Sequence, residues 1–382
     1  MLFTIENMIK RSIYNSVKEH LFKGKAIVLT GPRQVGKTTF LRQLTEGEDR
    51  SLVLSLNCDE PDIRVLLENV SSTQLKTLVG KHKLILIDEA QKVENIGLTL
   101  KLMVDNIDDI QLIATGSSAF DLRNKLNEPL TGRKYEYHLY PFSTSELMGK
   151  SSLIEERRML EQRMIYGMYP DVVNQPSDAL VILKELANSY LYKDIFTYKD
   201  IRNPDGLVKL VTALALQLGS EVSYNELGRT LGIDKETIER YLDLLEKVFV
   251  VFRLSSFSRN IRNELKKSKK IYFYDNGVRN AIINNFNPLS LRNDTGALWE
   301  NFLISERRKY LDYNAKYANT YFWRTHTQQE IDYIEEYNGK LHAFEFKWNE
   351  RKGAKVPIAF EKAYPGYSYE VITPSHYMHF VS

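Results

Sequence analysis

The sequence contains a single cysteine, Cys58, among its 382 residues. One thiol excludes an internal disulfide framework, and it also excludes a zinc site built from several cysteines. Sparse cysteine is typical of proteins in a reducing compartment, so we expect a cytoplasmic location. The first ten residues also lack the charged-then-apolar order of a signal peptide.

Long apolar runs and a strong charge imbalance are absent as well. No apolar stretch approaches the ~20 residues of a membrane-spanning helix, so we expect no membrane partner. The formal net charge is +3, so any affinity for nucleic acid must come from a local basic patch. Hydrophobic residues make up 43% of the chain, which is ordinary for a globular protein. A chain of this length predicts about two or three domains.

What the sequence does contain is a phosphate-binding loop. Residues 31–39 fit the pattern G-x-x-x-x-G-K-[ST]. An apolar strand, Ala26–Thr30, precedes the loop and a helix follows it, which is the context that this loop requires. The candidate nucleotide-binding residues are Gly31, Pro32, Arg33, Gln34, Val35, Gly36, Lys37, Thr38 and Thr39.

Each part of this loop has a physical role. The two glycines allow backbone N–H groups to point inward at the phosphates. The helix that follows directs its positive end at the same place. Lys37 adds a charge beside the outer phosphates and assists catalysis, and the Thr38 hydroxyl can ligate magnesium. We therefore expect ATP and Mg²⁺ as cofactors.

A second motif ends in two carboxylates. The apolar run Leu84–Ile87 precedes Asp88 and Glu89, as expected of a buried parallel strand whose carboxyl end faces a ligand. Asp88 is predicted to hold magnesium. Glu89 is predicted to orient or deprotonate the attacking water, which indicates hydrolysis rather than binding alone. The alternative is a buried strand that ends at a solvated acidic pair.

Polar residues also end the next predicted strand. Thr115 and Ser117 are candidate sensors of the γ-phosphate, and the alternative is a simple Gly-Ser turn. Arg133 or Arg123 is a candidate arginine finger, which supplies charge to the transition state. A structural or surface arginine is the other interpretation. Strands that alternate with helices predict an α/β fold with a doubly wound parallel sheet.

The pattern changes after residue 140. Residues 141–205 are predicted to form a tyrosine-rich helical lid, and residues 206–280 to form a winged helix. Seven basic residues and one acidic residue lie between Arg253 and Lys270, which would suit a wing that contacts DNA phosphates. The alternative is a winged helix that serves packing or protein contacts.

The last hundred residues contain a predicted hairpin. Asn338-Gly339 is a strong turn signal, and a two-residue turn places Asp332 directly opposite Glu345. Two carboxylates this close repel each other unless a cation or a proton lies between them. Oxygen ligands of this kind suit magnesium or manganese, so a second metal site is predicted here.

Lys347 shares that face and would neutralise charge on a phosphate, and Glu300 on the preceding helix would add a ligand. The spacing of Asp332, Glu345 and Lys347 resembles that of PD-(D/E)xK nucleases, although no proline precedes Asp332. The alternative is a charged, exposed hairpin face on which Lys347 pairs with Glu330.

The order of these motifs resembles a prokaryotic family of P-loop ATPases related to AAA+ proteins, with a C-terminal domain of unknown function that is nuclease-like in its last part. The resemblance is carried by residues 31–39, 84–91, 115–118, 130–133, 271–277, 300, 330–332 and 345–347. It implies ATP binding and hydrolysis. The predicted domains are a P-loop ATPase core (1–140), a helical lid (141–205), a winged helix (206–280) and a restriction-endonuclease-like α/β domain (281–382).

Three functions fit this organisation. The leading one is an ATPase that acts on, or is switched by, nucleic acid. The alternatives are an ATP-gated, metal-dependent nuclease and an ATP-dependent signalling switch whose state a protein partner reads. The sequence does not fix the oligomeric state, although AAA+ relatives often form rings.

Overall fold

The computed structural model describes residues 8–117, 129–188, 201, 203–258, 269–351 and 353–382. The chain divides into two compact units. The first comprises Met1–Phe142 and Lys247–Phe249, and the second comprises Ser143–Glu246 and Val250–Ser382. The four-domain division predicted from the sequence stays a prediction.

The first unit is built on a five-stranded parallel sheet in the order β2-β3-β4-β1-β5. Its strands are β1 Ala26–Thr30, β2 Val53–Asn57, β3 Leu84–Asp88, β4 Gln111–Gly116 and β5 Lys134–His138. Its helices are α1 Tyr14–Glu19, α2 Lys37–Leu44, α3 Pro61–Leu67, α4 Ser72–Val79 and α5 Ile96–Asn106. The prediction of a parallel sheet whose strands alternate with helices is confirmed.

The central strands form the core because their side chains are aliphatic on both faces. Val28 of β1 and Ile85 of β3 pack in one cluster with Leu67, Leu75 and Leu100 of α3, α4 and α5. All five are at most 1% exposed. Burial of each such side chain contributes about 1.5–3 kcal/mol. This core fixes the carboxyl ends of β1, β3 and β4 next to one another.

The helical spacing of Ile9, Ile13, Val17 and Leu21 predicts a helix over residues 5–22, whereas in the structure α1 covers Tyr14–Glu19. Ile9 and Ile13 are nevertheless buried, as the helical stripe required. The segment before α1 makes a tertiary contact instead, in which the Arg11 guanidinium donates to the Tyr140 carbonyl. Apolar spacing therefore identified the buried side chains but not the backbone conformation that presents them.

The second unit contains a seven-stranded sheet in the order β12-β11-β10-β9-β7-β8-β6. Its strands are β6 Glu221–Val222, β7 Val251–Ser256, β8 Lys269–Phe273, β9 Asn319–Arg324, β10 Glu330–Tyr337, β11 Lys340–Phe346 and β12 Ser368–Ile372. Strands from both sides of residue 280 share this sheet, because β7 pairs with β9 in parallel.

The helices of the second unit are α6 Thr144–Met148, α7 Leu153–Tyr166, α8 Pro170–Asn174, α9 Ala179–Asn188, α10 Pro204–Leu216, α11 Tyr224–Leu231, α12 Lys235–Lys247, α13 Asn276–Ile282, α14 Thr295–Tyr313, α15 Ile358–Ala363 and α16 Met378–Val381. The predicted helical stretch after residue 142 is confirmed up to residue 188. Its position as a lid stays a prediction. Over the described ranges, none of the helices combines the length and the apolar character needed to cross a bilayer.

The segment predicted as a winged helix has the required order of elements. Helices α10, α11 and α12 are followed by the antiparallel pair β7 and β8, and β6 pairs with β8. Gly232 ends α11 with a φ of 69°, a left-handed conformation that glycine adopts without strain. The assignment of this segment as a winged helix stays a prediction.

The C-terminal hairpin has the predicted register. Tyr337 pairs with Lys340 and Tyr333 pairs with Phe344. Asn338 and Gly339 both have positive φ, at 51° and 72°, as the two-residue turn requires. The expected turn is confirmed, and so is the pairing from Tyr337–Lys340 to Tyr333–Phe344, whereas the predicted pair Asp332–Glu345 stays a prediction.

Candidate functional site

The loop between β1 and α2 has a backbone that only certain residues can adopt. Gly36 has a φ of 94°, and Gln34 also lies in the left-handed region at 56°. A Cβ on Gly31 would lie 2.1 Å from the carbonyl oxygen of Leu139, so a side chain there would collide with the backbone after β5. Val35 is fully buried and anchors the loop in the core. In phosphate-binding loops, residues in such conformations turn successive N–H groups toward the loop interior.

The Lys37 side chain folds back across this loop. Its Nζ donates to the carbonyl of Gly31 at 2.9 Å and to that of Pro32 at 2.8 Å. The residue is 5% exposed, so the ammonium is held inside the loop rather than in solvent. Ionised phosphate oxygens form stronger hydrogen bonds to an ammonium than carbonyls do, so this cation is placed to meet phosphate.

Asp88 at the end of β3 receives two hydroxyl hydrogen bonds. Thr38 Oγ1 donates to Asp88 Oδ2 at 2.8 Å, which joins the first turn of α2 to β3. Thr115 Oγ1 donates to Asp88 Oδ1 and is fully buried. Thr115 therefore orients Asp88 in this structure, rather than presenting its hydroxyl to a ligand. The Thr38 hydroxyl and the Asp88 carboxylate are hard oxygen donors that fit Mg²⁺.

The backbone bends at Glu89, directly after β3. It has φ 53° and ψ 39°, and its backbone N–H donates to Thr115 Oγ1 at 3.3 Å. Its Oε2 accepts from Gln91 Nε2 at 2.6 Å and from Ser117 Oγ at 3.3 Å. The structure thus brings Glu89, Asp88, Thr115 and Ser117 together where β3 and β4 end.

The candidate arginine fingers do not join this group. Arg133 directly precedes β5 and pairs with Asp105, with 2.6 Å between Arg133 Nε and Asp105 Oδ1. Because β5 runs parallel to β1 with Lys134 beside Ala26, Arg133 lies at the amino edge of the sheet. The phosphate-binding loop follows the opposite edge, so Arg133 does not reach the site of its own chain. Arg123, the other candidate arginine finger, lies outside the described residues. Of the candidate nucleotide-binding residues, Thr39 is exposed on α2.

The C-terminal candidates are close together but are paired differently from the prediction. Lys347 Nζ lies 2.5 Å from Glu345 Oε1, and Asp332 Oδ2 accepts from the Phe346 N–H at 2.7 Å. Burial raises the pKa of Asp332 well above its ordinary value, and the neighbouring carboxylates of Glu300 and Glu345 raise it further. Asp332 therefore retains its proton at a higher pH than an exposed aspartate.

Sequence reasoning missed Lys270 in this cluster. Its Nζ lies 2.9 Å from Glu300 Oε1 and 2.5 Å from Glu330 Oε1, and its side chain is 3% exposed. Tyr272 also donates to Glu300 Oε1, at 2.5 Å. Burial alone would lower the pKa of Lys270, but Glu300 and Glu330 raise it above the ordinary value. A permanent positive charge thus lies within the acidic cluster.

A second divalent ion does not fit this arrangement. Across the described ranges, no three His, Cys, Asp or Glu side chains are grouped so that they could hold a metal ion. Glu330 pairs with Lys270 instead of Lys347, and Glu345 is occupied by Lys347. The cluster is therefore a network of ion pairs, and no chemical step through a metal is derived for it.

Some basic residues of the segment predicted to contact DNA form ion pairs within the protein. The guanidinium of Arg253 lies 2.5 Å from Asp243 Oδ1 and also bonds to Glu246. Lys270 is buried, and residues 259–268 lie outside the described residues. Two of the seven basic side chains are thus committed to internal carboxylates.

Family comparisons agree with the division between the P-loop unit and the rest of the chain. Residues 23–148 match the family described as "AAA domain". Residues 157–289 and 295–377 match two domains of unknown function, DUF8612 and DUF4143. The match to an AAA domain thus lies in the amino-terminal third of the chain, and matches to families of unknown function follow it.

The chain is also similar to proteins from several microorganisms that are described as uncharacterized. One from Mycobacterium tuberculosis is 28% identical over 348 residues, which are 88% of this chain and 74% of that protein. Another, from Methanocaldococcus jannaschii, is 28% identical over 325 residues, which are 72% of this chain and 67% of that protein.

Solved structures give weaker likenesses. A chain in the structure of Drosophila ORC bound to DNA is 13% identical, with a TM-score of 0.26, over 71% of this chain and 92% of that one. A STAND-type signal transduction ATPase from Pyrococcus horikoshii is 12% identical, with a TM-score of 0.29, over 82% of this chain and 48% of that one. Scores of this size carry no argument about fold or function.

Proposed function

We propose that this protein is a magnesium-dependent ATP hydrolase. The observation that carries the proposal is the 2.8 Å hydrogen bond between Thr38 Oγ1 and Asp88 Oδ2. It supports the proposal because it joins the phosphate-binding loop to the acidic strand end through the two predicted magnesium ligands. Glu89 follows Asp88 directly and is positioned as a proton acceptor.

The residues divide the chemistry between them. The loop N–H groups and the Lys37 ammonium bind and orient the outer phosphates. Thr38 and Asp88 would hold Mg²⁺, which neutralises charge on the phosphates when it is bound. Glu89 orients the attacking water and accepts its proton.

Steady-state release of phosphate from ATP tests the hydrolase proposal. With magnesium, we expect turnover in the wild type and no detectable ATP binding in Lys37→Ala. In Glu89→Gln we expect kcat to fall by about 10²–10⁴-fold while ATP still binds, because only the base is removed. Absence of turnover in the wild type, or equal turnover in Glu89→Gln, would contradict the proposal.

We further propose that nucleic acid alters this turnover. Support comes from the pair α11 and α12, which Gly232 joins by a tight turn, and from Asp234, whose Oδ1 accepts from the Thr237 N–H at 2.7 Å at the start of α12. A helix, a turn and a second helix are the elements of a DNA-reading unit.

This second proposal requires assays with duplex DNA, single-stranded DNA and RNA over a salt series, with heparin as a control for charge alone. A response to nucleic acid that heparin does not reproduce, and that weakens as salt rises, is expected. If none of the nucleic acids changes turnover, the switch read by a protein partner becomes the better account. The ion pairs around Lys270 give the nuclease alternative no support.

A further inference from the structure

Gln91 forms a closed set of hydrogen bonds with two residues of the candidate site. Its Nε2 donates to Glu89 Oε2 at 2.6 Å and to Ser117 Oγ at 3.0 Å. Ser117 Oγ completes the triangle by donating to the same Glu89 Oε2 at 3.3 Å. A primary amide carries two N–H bonds, so Gln91 can make both contacts at once. Because a carboxylate only accepts, Nε2 and not Oε1 of Gln91 must face Glu89.

The backbone holds this glutamine firmly in place. Gln91 is the middle residue of the 3₁₀ turn Ala90–Lys92, and both Ala90 and Val93 are fully buried. Glu89, immediately before the turn, is in the left-handed region, which costs a non-glycine residue about 1–2 kcal/mol. That bend breaks the alternation of the strand and lets the side chain of residue 91 return to residue 89.

These hydrogen bonds affect the two carboxylate oxygens of Glu89 differently. Gln91 and Ser117 both donate to Oε2 of Glu89, so Oε1 is the oxygen that neither of them holds. Fixing one oxygen stops the carboxylate from rotating and defines the direction of the other. Orientation matters because a misplacement of ~1 Å in a reacting group can cost about 10²-fold in rate.

We propose that Gln91 is a positioning residue for ATP hydrolysis, which fixes Glu89 through Oε2 so that Oε1 accepts the proton of the attacking water. This inference rests on the proposed hydrolase function and extends it to Gln91. The hydrogen bonds described above join Gln91 to Glu89 and Ser117, and not to the phosphate-binding loop or the predicted magnesium ligands. The Gln91 amide also links Ser117, the candidate γ-phosphate sensor, to Glu89, the proposed base.

The first test replaces Gln91. In Gln91→Ala we expect kcat to fall by about 10–100-fold, with KM for ATP changed by less than about twofold, because the lost bonds orient the base. Gln91→Glu has nearly the same size but places an acceptor against a carboxylate, so its loss should be at least as large. Lys92→Ala is the matched control, since this exposed neighbour pairs with Asp59 and should keep the wild-type kcat.

The second test is a double-mutant cycle with Glu89→Gln. If Gln91 acts through Glu89, adding Gln91→Ala to Glu89→Gln should lower kcat no further. Binding of a fluorescent ATP analogue to each variant shows that the site remains folded. Losses that multiply in the double variant, or an unchanged kcat in Gln91→Ala, would overturn the inference. A wild type without turnover that depends on Glu89 would instead overturn the hydrolase proposal itself.

Discussion

At the scale of single residues, the ammonium of Lys270 pairs with the carboxylates of both Glu300 and Glu330. The cluster contains the carboxylates of Glu300, Glu330, Asp332 and Glu345 and the ammonium groups of Lys270 and Lys347. Burial and the neighbouring carboxylates raise the pKa of Asp332, and the other three carboxylates face two ammonium groups. Opposite charges that are already paired leave little attraction for Mg²⁺.

Lys270→Met tests this account, because methionine keeps most of the volume and removes the charge. We expect the free energy of unfolding, measured in urea, to fall by about 3–5 kcal/mol, since two carboxylates lose a buried partner. Lys347→Met is the control: its side chain is 29% exposed, and loss of its pair with Glu345 should cost about 1 kcal/mol or less.

A titration of the same proteins with Mn²⁺ can contradict this account. Mn²⁺ that binds the nucleotide-free wild type and is lost in Asp332→Asn would show a metal site where we infer an ion-pair network. The lysine escaped sequence reasoning because it lies on β8, 30 residues before Glu300. Its place in the run of basic residues suggested solvent exposure.

Sequence reasoning was most successful for residues whose neighbours lie along the chain. The phosphate-binding loop and the pair Asp88 and Glu89 were identified from local patterns. Gln91 was missed, although it is a polar residue that closely follows two carboxylates at a strand end. Its role depends on the left-handed backbone at Glu89, and sequence alone does not indicate that glutamate will adopt it.

At the scale of elements, the strongest predictions were those with a specific turn chemistry. The hairpin register followed from Asn338-Gly339 and was confirmed from Tyr337–Lys340 to Tyr333–Phe344. The buried strands β1, β3 and β4 were equally clear because their apolar runs are continuous. Pairing between strands far apart in sequence, such as β7 with β9, had no local signal and was not predicted.

The motif at residues 271–277 has a structural explanation at this scale. Asn276 Nδ2 donates to the carbonyls of Met164 and Leu298, at 3.2 and 3.1 Å, and thereby joins α7 to α14. Asn301 of α14 donates to Asn276 Oδ1 at 2.6 Å. Gly277 packs so tightly that a Cβ would lie 2.1 Å from the Tyr166 carbonyl oxygen. Asn276 and Gly277 therefore connect helices.

Asn301→Leu tests the importance of this network. Asn301 is fully buried, and it both accepts from the Phe273 N–H at 2.7 Å and donates to the Phe273 carbonyl at 3.1 Å. Leucine would leave these groups unsatisfied, so we expect unfolding to become easier by about 3–5 kcal/mol.

Urea unfolding measures this change. The exposed substitution Asn314→Leu at the end of α14 is the control and should cost less than about 1 kcal/mol. Equal stabilities of the two variants would show that the buried amide contributes nothing beyond its volume.

At the scale of the whole molecule, the two units differ in how much about function can be inferred from their residues. The first unit, with the AAA domain match, brings Thr38, Asp88 and Glu89 close together, whereas Arg133 lies at the opposite edge of its sheet. In the second unit one sheet combines strands from both sides of residue 280, and the predicted domain boundary there stays a prediction. Sequence periodicity identifies elements well, but it does not show which elements share a sheet.

The central claim is that the loop at residues 31–39 and the strand end at Asp88 and Glu89 together hydrolyse ATP. The most direct measurement is single-turnover hydrolysis of γ-labelled ATP, with magnesium and excess protein, in the wild type and in Glu89→Gln. We expect the wild type to convert its bound ATP to ADP and phosphate, and Glu89→Gln to retain intact ATP at least about 100-fold longer. Wild-type protein that binds ATP and leaves it intact, or equal rates in the two proteins, would contradict the claim.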